Sequence, residues 1–330
     1  MTPPPPTPSL DAYRNLSPQD MELQVSPSRW SPDAARHDVV AAYVARARRD
    51  VVACRARVPW SRRHVTPTVD EDSNITMDVY GEQLPAGSGL VVYIHGGYWQ
   101  ELNQDLVGGL MGPLHDAGVV VVVLGYTTAP HGTVSGMVRE VYRGLQDVRK
   151  LREEKKWQPA VIVGWSAGAQ LGLQALLHFV GEARGDGPGG GENAEEDGGS
   201  WVGGVVTISG VFYLPPLVDT YVNAALGLTS EQARQLSPAE PGNYQLLPAV
   251  LLPTTRFIIA TAEHDSPMFR EHSDVYAKTL RQLFSSVHRH EVLASDHFNI
   301  VADLAEHQDL FLQRLLEFVR EFSSCTSSSS

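Results

Sequence analysis

The sequence predicts an α/β protein, a mostly parallel central sheet with helices on both faces. Two observations carry this. Short apolar runs rich in Val and Ile recur from residue 90 onward. Between them lie longer segments with apolar residues every three or four positions, the period of an amphipathic helix. Strands that are apolar on both sides belong to a parallel sheet covered by helices. A chain of 330 residues that is 42% hydrophobic can bury one large core, so residues 1–330 are read as a single domain.

The elements follow in order. Residues 1–10 are proline-rich and read as an extended, solvated tail. They lack the basic and apolar regions of a secretory signal. Residues 36–57 have helical apolar spacing, and 65–81 hold one or two short strands. The alternation then starts. Strands are expected at 90–95, 119–126, 160–165, 203–210, 256–261 and 288–293, and helices at 105–118, 134–154, 167–183, 269–284 and 300–322. Residues 182–200 are acidic and glycine-rich with almost nothing to bury, which predicts a disordered surface loop. Residues 323–330 form a serine-rich tail.

Charge and cysteine content exclude several classes. A net charge of −12 opposes sequence-independent binding to nucleic acid or anionic membranes. The longest apolar stretch, 118–126, is too short to span a bilayer. The two cysteines, Cys54 and Cys325, form neither a disulfide framework nor a zinc motif. A reducing compartment fits, the cytoplasm, and nothing visible excludes the nucleus.

Ligands of parallel sheets bind at the carboxyl ends of the strands, so residues just after strands are the site candidates. "GWSAG" (164–168) stands between a strand and a helix. G-x-S-x-G there is a nucleophile elbow: Gly164 and Gly168 permit a tight turn that exposes the Ser166 hydroxyl above the sheet. The competing reading, a helix-capping serine, does not require that context. A serine nucleophile needs a base, an orienting acid and an oxyanion hole, in the chain order Ser, acid, His. "HGGYW" (95–99) follows an earlier strand, and the N–H groups of Gly96, Gly97 and Ala167 are the expected oxyanion donors. After 256–261 come Glu263 and Asp265. Asp265 is preferred, with Glu263 as the alternative, and Asp265 could equally cap the next helix. After the last strand, "ASDHFNI" places His297 in the base position. His264, His272, His288 and His290 lack that loop context, and Asp296 reads as a capping carboxylate. No metal motif is present, although His288 and His290 share one strand face.

Together, "MELQVSPSRW", "HGGYW", "GWSAGAQL", "LTSEQARQLSP", "AEHDSPMFR" and "SDHFNIV" resemble the arylformamidase (kynurenine formamidase) family of the α/β-hydrolase superfamily. HGG with an elbow is common to many esterases. HGGYW with Asp-His-Phe in the base loop is more particular to this family. The resemblance implies an α/β-hydrolase fold and hydrolysis of N-formyl-L-kynurenine to L-kynurenine and formate in tryptophan catabolism. It places the nucleophile on Ser166, the acid on Asp265, the base on His297 and the HGGxW motif on His95, Gly96, Gly97, Tyr98 and Trp99. It implies no metal or organic cofactor, and a homodimer. A broad carboxylesterase or a non-catalytic binding protein on the same fold are the competing functions. With the resemblance, Tyr98 and Trp99 are expected to shape the substrate pocket; the competing reading packs both rings in the core, above all Trp99. Asn299 and residues 221–238 are candidates for the amino-acid end of the substrate.

Overall fold

The computed structural model describes residues 10, 13, 15–66, 75–183 and 201–322. Apart from Leu10 and the end of one helix, the expected tails at 1–10 and 323–330 and the expected loop at 182–200 lie outside them.

Eight strands form one sheet: β1 (Trp60–His64), β2 (Thr76–Tyr80), β3 (Gly89–Ile94), β4 (Val119–Leu124), β5 (Ala160–Trp165), β6 (Val202–Ile208), β7 (Arg256–Ala262) and β8 (Ser286–Val292). Their order is β1-β2-β4-β3-β5-β6-β7-β8. β1 pairs β2, and β2 pairs β4, antiparallel; every later pairing is parallel. The period of two along each strand divides the core. Leu90, Val92 and Ile94 of β3 face the helices α4 (Val134–Lys155), α5 (Ala167–Ala183) and α9 (Pro267–Leu280). Val91 and Tyr93 face α2 (Val39–Arg57), α3 (Met111–Asp116) and α11 (Leu310–Arg320). Helix starts follow side-chain caps: Asp38 accepts from the Ala41 amide and Thr133 from the Gly136 amide.

Five elements differ from the sequence expectation. β1 lies upstream of 65–81 and reads WSRRH, without an apolar face. It is held by the ladder to β2 and by Arg62, which ion-pairs with the fully buried Asp78. The helix expected at 105–118 shrinks to α3, because Gly108 takes a left-handed φ of +80° just before it. The helix expected at 300–322 is broken into α10 (Asn299–Ala302), a 3-10 turn and α11, which restarts where Asp309 caps the Leu312 amide. Residues 211–255, unassigned from sequence, carry the short helices α6 (Asn223–Leu226), α7 (Ser230–Gln235) and α8 (Pro241–Tyr244). The N-terminal helix α1 (Pro18–Gln24), capped by Ser17, was likewise not expected. Among the described residues no helix is long and apolar enough to cross a membrane.

Candidate active site

Ser166 joins β5 to α5 with φ +53°, a left-handed conformation that costs energy for a residue with a side chain. Its neighbours explain how the turn closes. A Cβ at Gly164 would lie 2.5 Å from the Ala169 Cα, and one at Gly168 would lie 2.2 Å from the Ile94 carbonyl oxygen. No side chain fits either place. The Ser166 amide donates to the Ile208 carbonyl at 2.8 Å, which pins the turn to β6.

The loop after β3 packs directly on this turn: a Cβ at Gly96 would lie 3.0 Å from the Ser166 Cβ. Gly97 has φ +109°, open only to glycine. The Tyr126 hydroxyl lies within hydrogen-bond reach of the carbonyls of His95 (3.0 Å) and Gly96 (3.1 Å). In a trans peptide the N–H opposes the C=O, so these contacts turn the Gly96 and Gly97 amides the other way. The His95 side chain does not enter the cavity. Its ring stacks on Tyr126 with centroids 4.2 Å apart, and its Nδ1 donates to the Gly96 carbonyl at 2.8 Å. Burial pushes the imidazole down to about 4, so it is neutral near pH 7.

His297 is 3% exposed and its Nδ1 lies 2.7 Å from Asp265 Oδ1. That contact leaves Nε2 as the free ring nitrogen. Trp165 Nε1 donates to the His297 carbonyl at 3.0 Å, and Phe269 meets the ring edge-on. Asp265 is itself buried. Its Oδ2 accepts from the Ser209 hydroxyl at 2.5 Å and the Ala262 amide at 2.9 Å. The helix-capping reading of Asp265 does not hold, because Ser266 caps α9. Glu263 is turned away and accepts from the Ala294 amide. Asp296 caps the amides of Phe298 and Asn299 through Oδ1 and takes the Ser31 hydroxyl on Oδ2.

Ser166 and His297 line one cavity with Gly97 and Tyr98, and Tyr43, Trp165, Tyr221 and Phe298 give it an aromatic wall. Of the two readings for the Tyr98–Trp99 pair, each ring follows a different one. Tyr98 borders the cavity. Trp99 is 0% exposed, packs in the core and donates to Gln170 at 2.8 Å. Tyr221 reaches the cavity, whereas Asn299 caps the Asp296 amide and borders a different one. His272 is buried between Tyr13 and Tyr213, His290 stacks on Phe311, and His288 is exposed.

Sequence reasoning missed Tyr126, Ser209 and the segment around Val25. Tyr126 and Ser209 each sit just past the carboxyl end of a strand, the position where site residues collect. That signal could have raised both. A hydroxyl on a strained turn, an imidazole held by a buried carboxylate and amides turned by a loop are the parts that acyl transfer requires.

The comparisons agree with this architecture. A family model described as the alpha/beta hydrolase fold matches residues 91–300. Kynurenine formamidase of Danio rerio is 32% identical over 94% of this chain and 99% of its own. Kynurenine formamidase of Salmo salar is 29% identical over the same shares. The crystal structure of esterase LipW from Mycobacterium marinum superposes with a TM-score of 0.60 at 18% identity, covering 95% of this chain and 96% of that one. The elbow, the sheet order and these full-length matches together show that the chain belongs to the kynurenine formamidase family of α/β hydrolases.

Proposed function

We propose that the protein hydrolyses the formamide bond of N-formyl-L-kynurenine, releasing L-kynurenine and formate in tryptophan catabolism. His297 Nε2 takes the Ser166 proton while Asp265 holds the imidazole by Nδ1. Ser166 Oγ attacks the formyl carbon. The amides of Gly96, Gly97 and Ala167 receive the oxyanion, with Ala167 at the amino end of α5. His297 then protonates the arylamine nitrogen as the C–N bond breaks. Water, deprotonated by His297, attacks the formyl-serine and frees formate. Residues of the chain perform every step, without a metal or organic cofactor.

The observation that carries the reading is the buried His297–Asp265 contact bordering the same cavity as a strained Ser166. Full-length similarity to kynurenine formamidases supports the substrate. The same reading includes a single domain, a homodimer, and a cytoplasmic location extending to the nucleus. Light scattering and imaging check the last two.

Purified protein should release kynurenine from N-formylkynurenine, followed by absorbance. Ser166→Ala, Asp265→Asn and His297→Ala should each lower turnover by on the order of 10⁴. Glu263→Gln should leave it near wild type. If Asp265→Asn kept full rate and Glu263→Gln lost it, the acid assignment would move to Glu263. A kcat/KM that stayed flat or rose from formyl to butyryl substrates would replace the formamidase by a carboxylesterase.

A further inference from the structure

The motif "MELQVSPSRW" has no place in the hydrolytic steps, yet it lies against the site. It forms α1 and the 3-10 turn Pro27–Trp30, outside the strand–helix repeat. The arm is braced within itself: Trp30 Nε1 donates to the Leu23 carbonyl at 2.9 Å and Ser26 Oγ to the Glu22 carbonyl at 2.5 Å. From that braced unit, polar bonds reach four segments around the site. The Val25 carbonyl accepts from Tyr98 Oη at 2.9 Å, just past the Gly96–Gly97 loop, and from Tyr221 Oη at 3.2 Å. Gln24 Oε1 accepts from the Met268 amide at 3.1 Å, in the first turn after Asp265. Ser31 Oγ donates to Asp296 Oδ2 at 2.5 Å, one residue before His297. Val25 is 0% exposed.

A segment that only covered the core would need apolar contacts alone. This one also borders the cavity itself, through Pro27 and Ser28. From these contacts we infer that residues 24–31 are the selectivity wall of the Ser166 cavity, limiting the bulk of the acyl group beside the scissile bond. The physical route runs through Tyr98. Its backbone follows Gly97 with φ +47°, so its ring stands next to the oxyanion loop, and the Val25 carbonyl holds that ring by its hydroxyl. With the arm loosened, Tyr98 and Tyr221 lose their common anchor and the space beside the carbonyl widens. The inference rests on the hydrolase reading of Ser166.

The test uses full-length protein and two variants. Gln24→Ala/Ser31→Ala releases the arm from the acid and base loops without changing a residue that borders the cavity. Ser28→Phe adds bulk from the arm. The probes are the 4-nitrophenyl esters of formate, acetate and butyrate, N-formylkynurenine, and a small fluorophosphonate that labels Ser166. The double variant should lose roughly tenfold of its preference for formyl over butyryl, the scale that one or two methylenes against a pocket wall can supply. Ser28→Phe should lower kcat/KM for the butyryl ester roughly tenfold more than for the formyl ester while fluorophosphonate labelling persists. A uniform fall across the ester series, or no change in the ratio, would overturn the inference, since a merely structural strap gives one of those results. If the double variant does not fold, an unchanged formyl-to-butyryl ratio in Ser28→Phe overturns it alone. Wild-type protein that neither labels nor hydrolyses formyl substrates would sink the hydrolase reading first, and the arm's role with it.

Discussion

Ser209 adopts φ +48° and donates a 2.5 Å hydrogen bond to Asp265 while fully buried. A strained backbone at a residue with a side chain persists where its surroundings require that geometry. Here the result is a hydroxyl aimed at the carboxylate that holds His297. A hydrogen bond to a charged group contributes about 1.5–3 kcal/mol, so Ser209→Ala should lower kcat/KM by roughly ten- to a hundredfold. Steady-state kinetics on N-formylkynurenine checks it, and an unchanged rate would show that Ala262 alone orients Asp265. His95 carries a second consequence at this scale. Burial lowers its imidazole from the ordinary 6.5 to about 4, against a smaller opposing effect of the Gly96 carbonyl. Between those values the unfolded chain binds more protons than the folded one, so stability rises with pH there. The stabilisation is complete above pH 6.5 and is lost as pH falls toward 4, by on the order of 3 kcal/mol. His178 and His290, also lowered by burial, act in the same sense. Thermal melts from pH 7 to pH 4.5 should therefore show a falling Tm, and His95→Phe, which retains an aromatic ring for Tyr126, should flatten part of that slope. Equal slopes in both proteins would count against a neutral His95.

At the scale of elements, the site depends on how closely α5 approaches β3. Gly168 allows it: an added methyl would meet both the Ile94 and His95 carbonyl oxygens, at 2.2 and 2.5 Å. These are backbone atoms and cannot turn aside as a side chain would. Gly168→Ala should destabilise the fold by about 3 kcal/mol and displace the loop that carries Gly96 and Gly97. Urea unfolding measures the first effect and kcat/KM the second. A variant with wild-type stability would mean that the elbow tolerates more space than this packing implies. The same element explains Trp99, whose bond to Gln170 ties the oxyanion loop to α5 from within the core. From the chain and its resemblance, the aromatic pair after two glycines is expected to shape the pocket, with core packing as the competing reading, above all for Trp99. Burial separates them, sending Trp99 inward and leaving Tyr98 at the cavity.

Across the whole molecule, the candidate site residues gather at the carboxyl ends of β3, β5, β7 and β8. α5 ends at Ala183, and the described chain resumes at Trp201, just before β6 begins; residues 184–200 lie outside the described residues. Trp201 is held there by the Ala160 amide, which donates to its carbonyl at 2.7 Å. Removing 184–200 with a short Gly-Ser bridge should leave kcat/KM unchanged and alter stability by only about 1 kcal/mol, because loop-closure entropy varies slowly with length. A large loss of turnover per folded molecule would show that the segment reaches the site.

The sequence by itself determined what local rules control. Runs of Val and Ile declared the buried strands, helical periodicity declared α2, α4, α5 and α9, and small residues around Ser166 declared the turn. Chain order after successive strands then singled out His297 and favoured Asp265, with Glu263 as the alternative. Tertiary structure decided the rest, because those choices depend on contacts between residues distant in the chain. It faced Asp265 toward His297 and turned Glu263 to Ala294. Packing against Asp78 made a strand of the polar Trp60–His64. Finally, it laid the Val25 carbonyl between Tyr98 and Tyr221, residues 73 and 196 positions away, a meeting that no local pattern encodes.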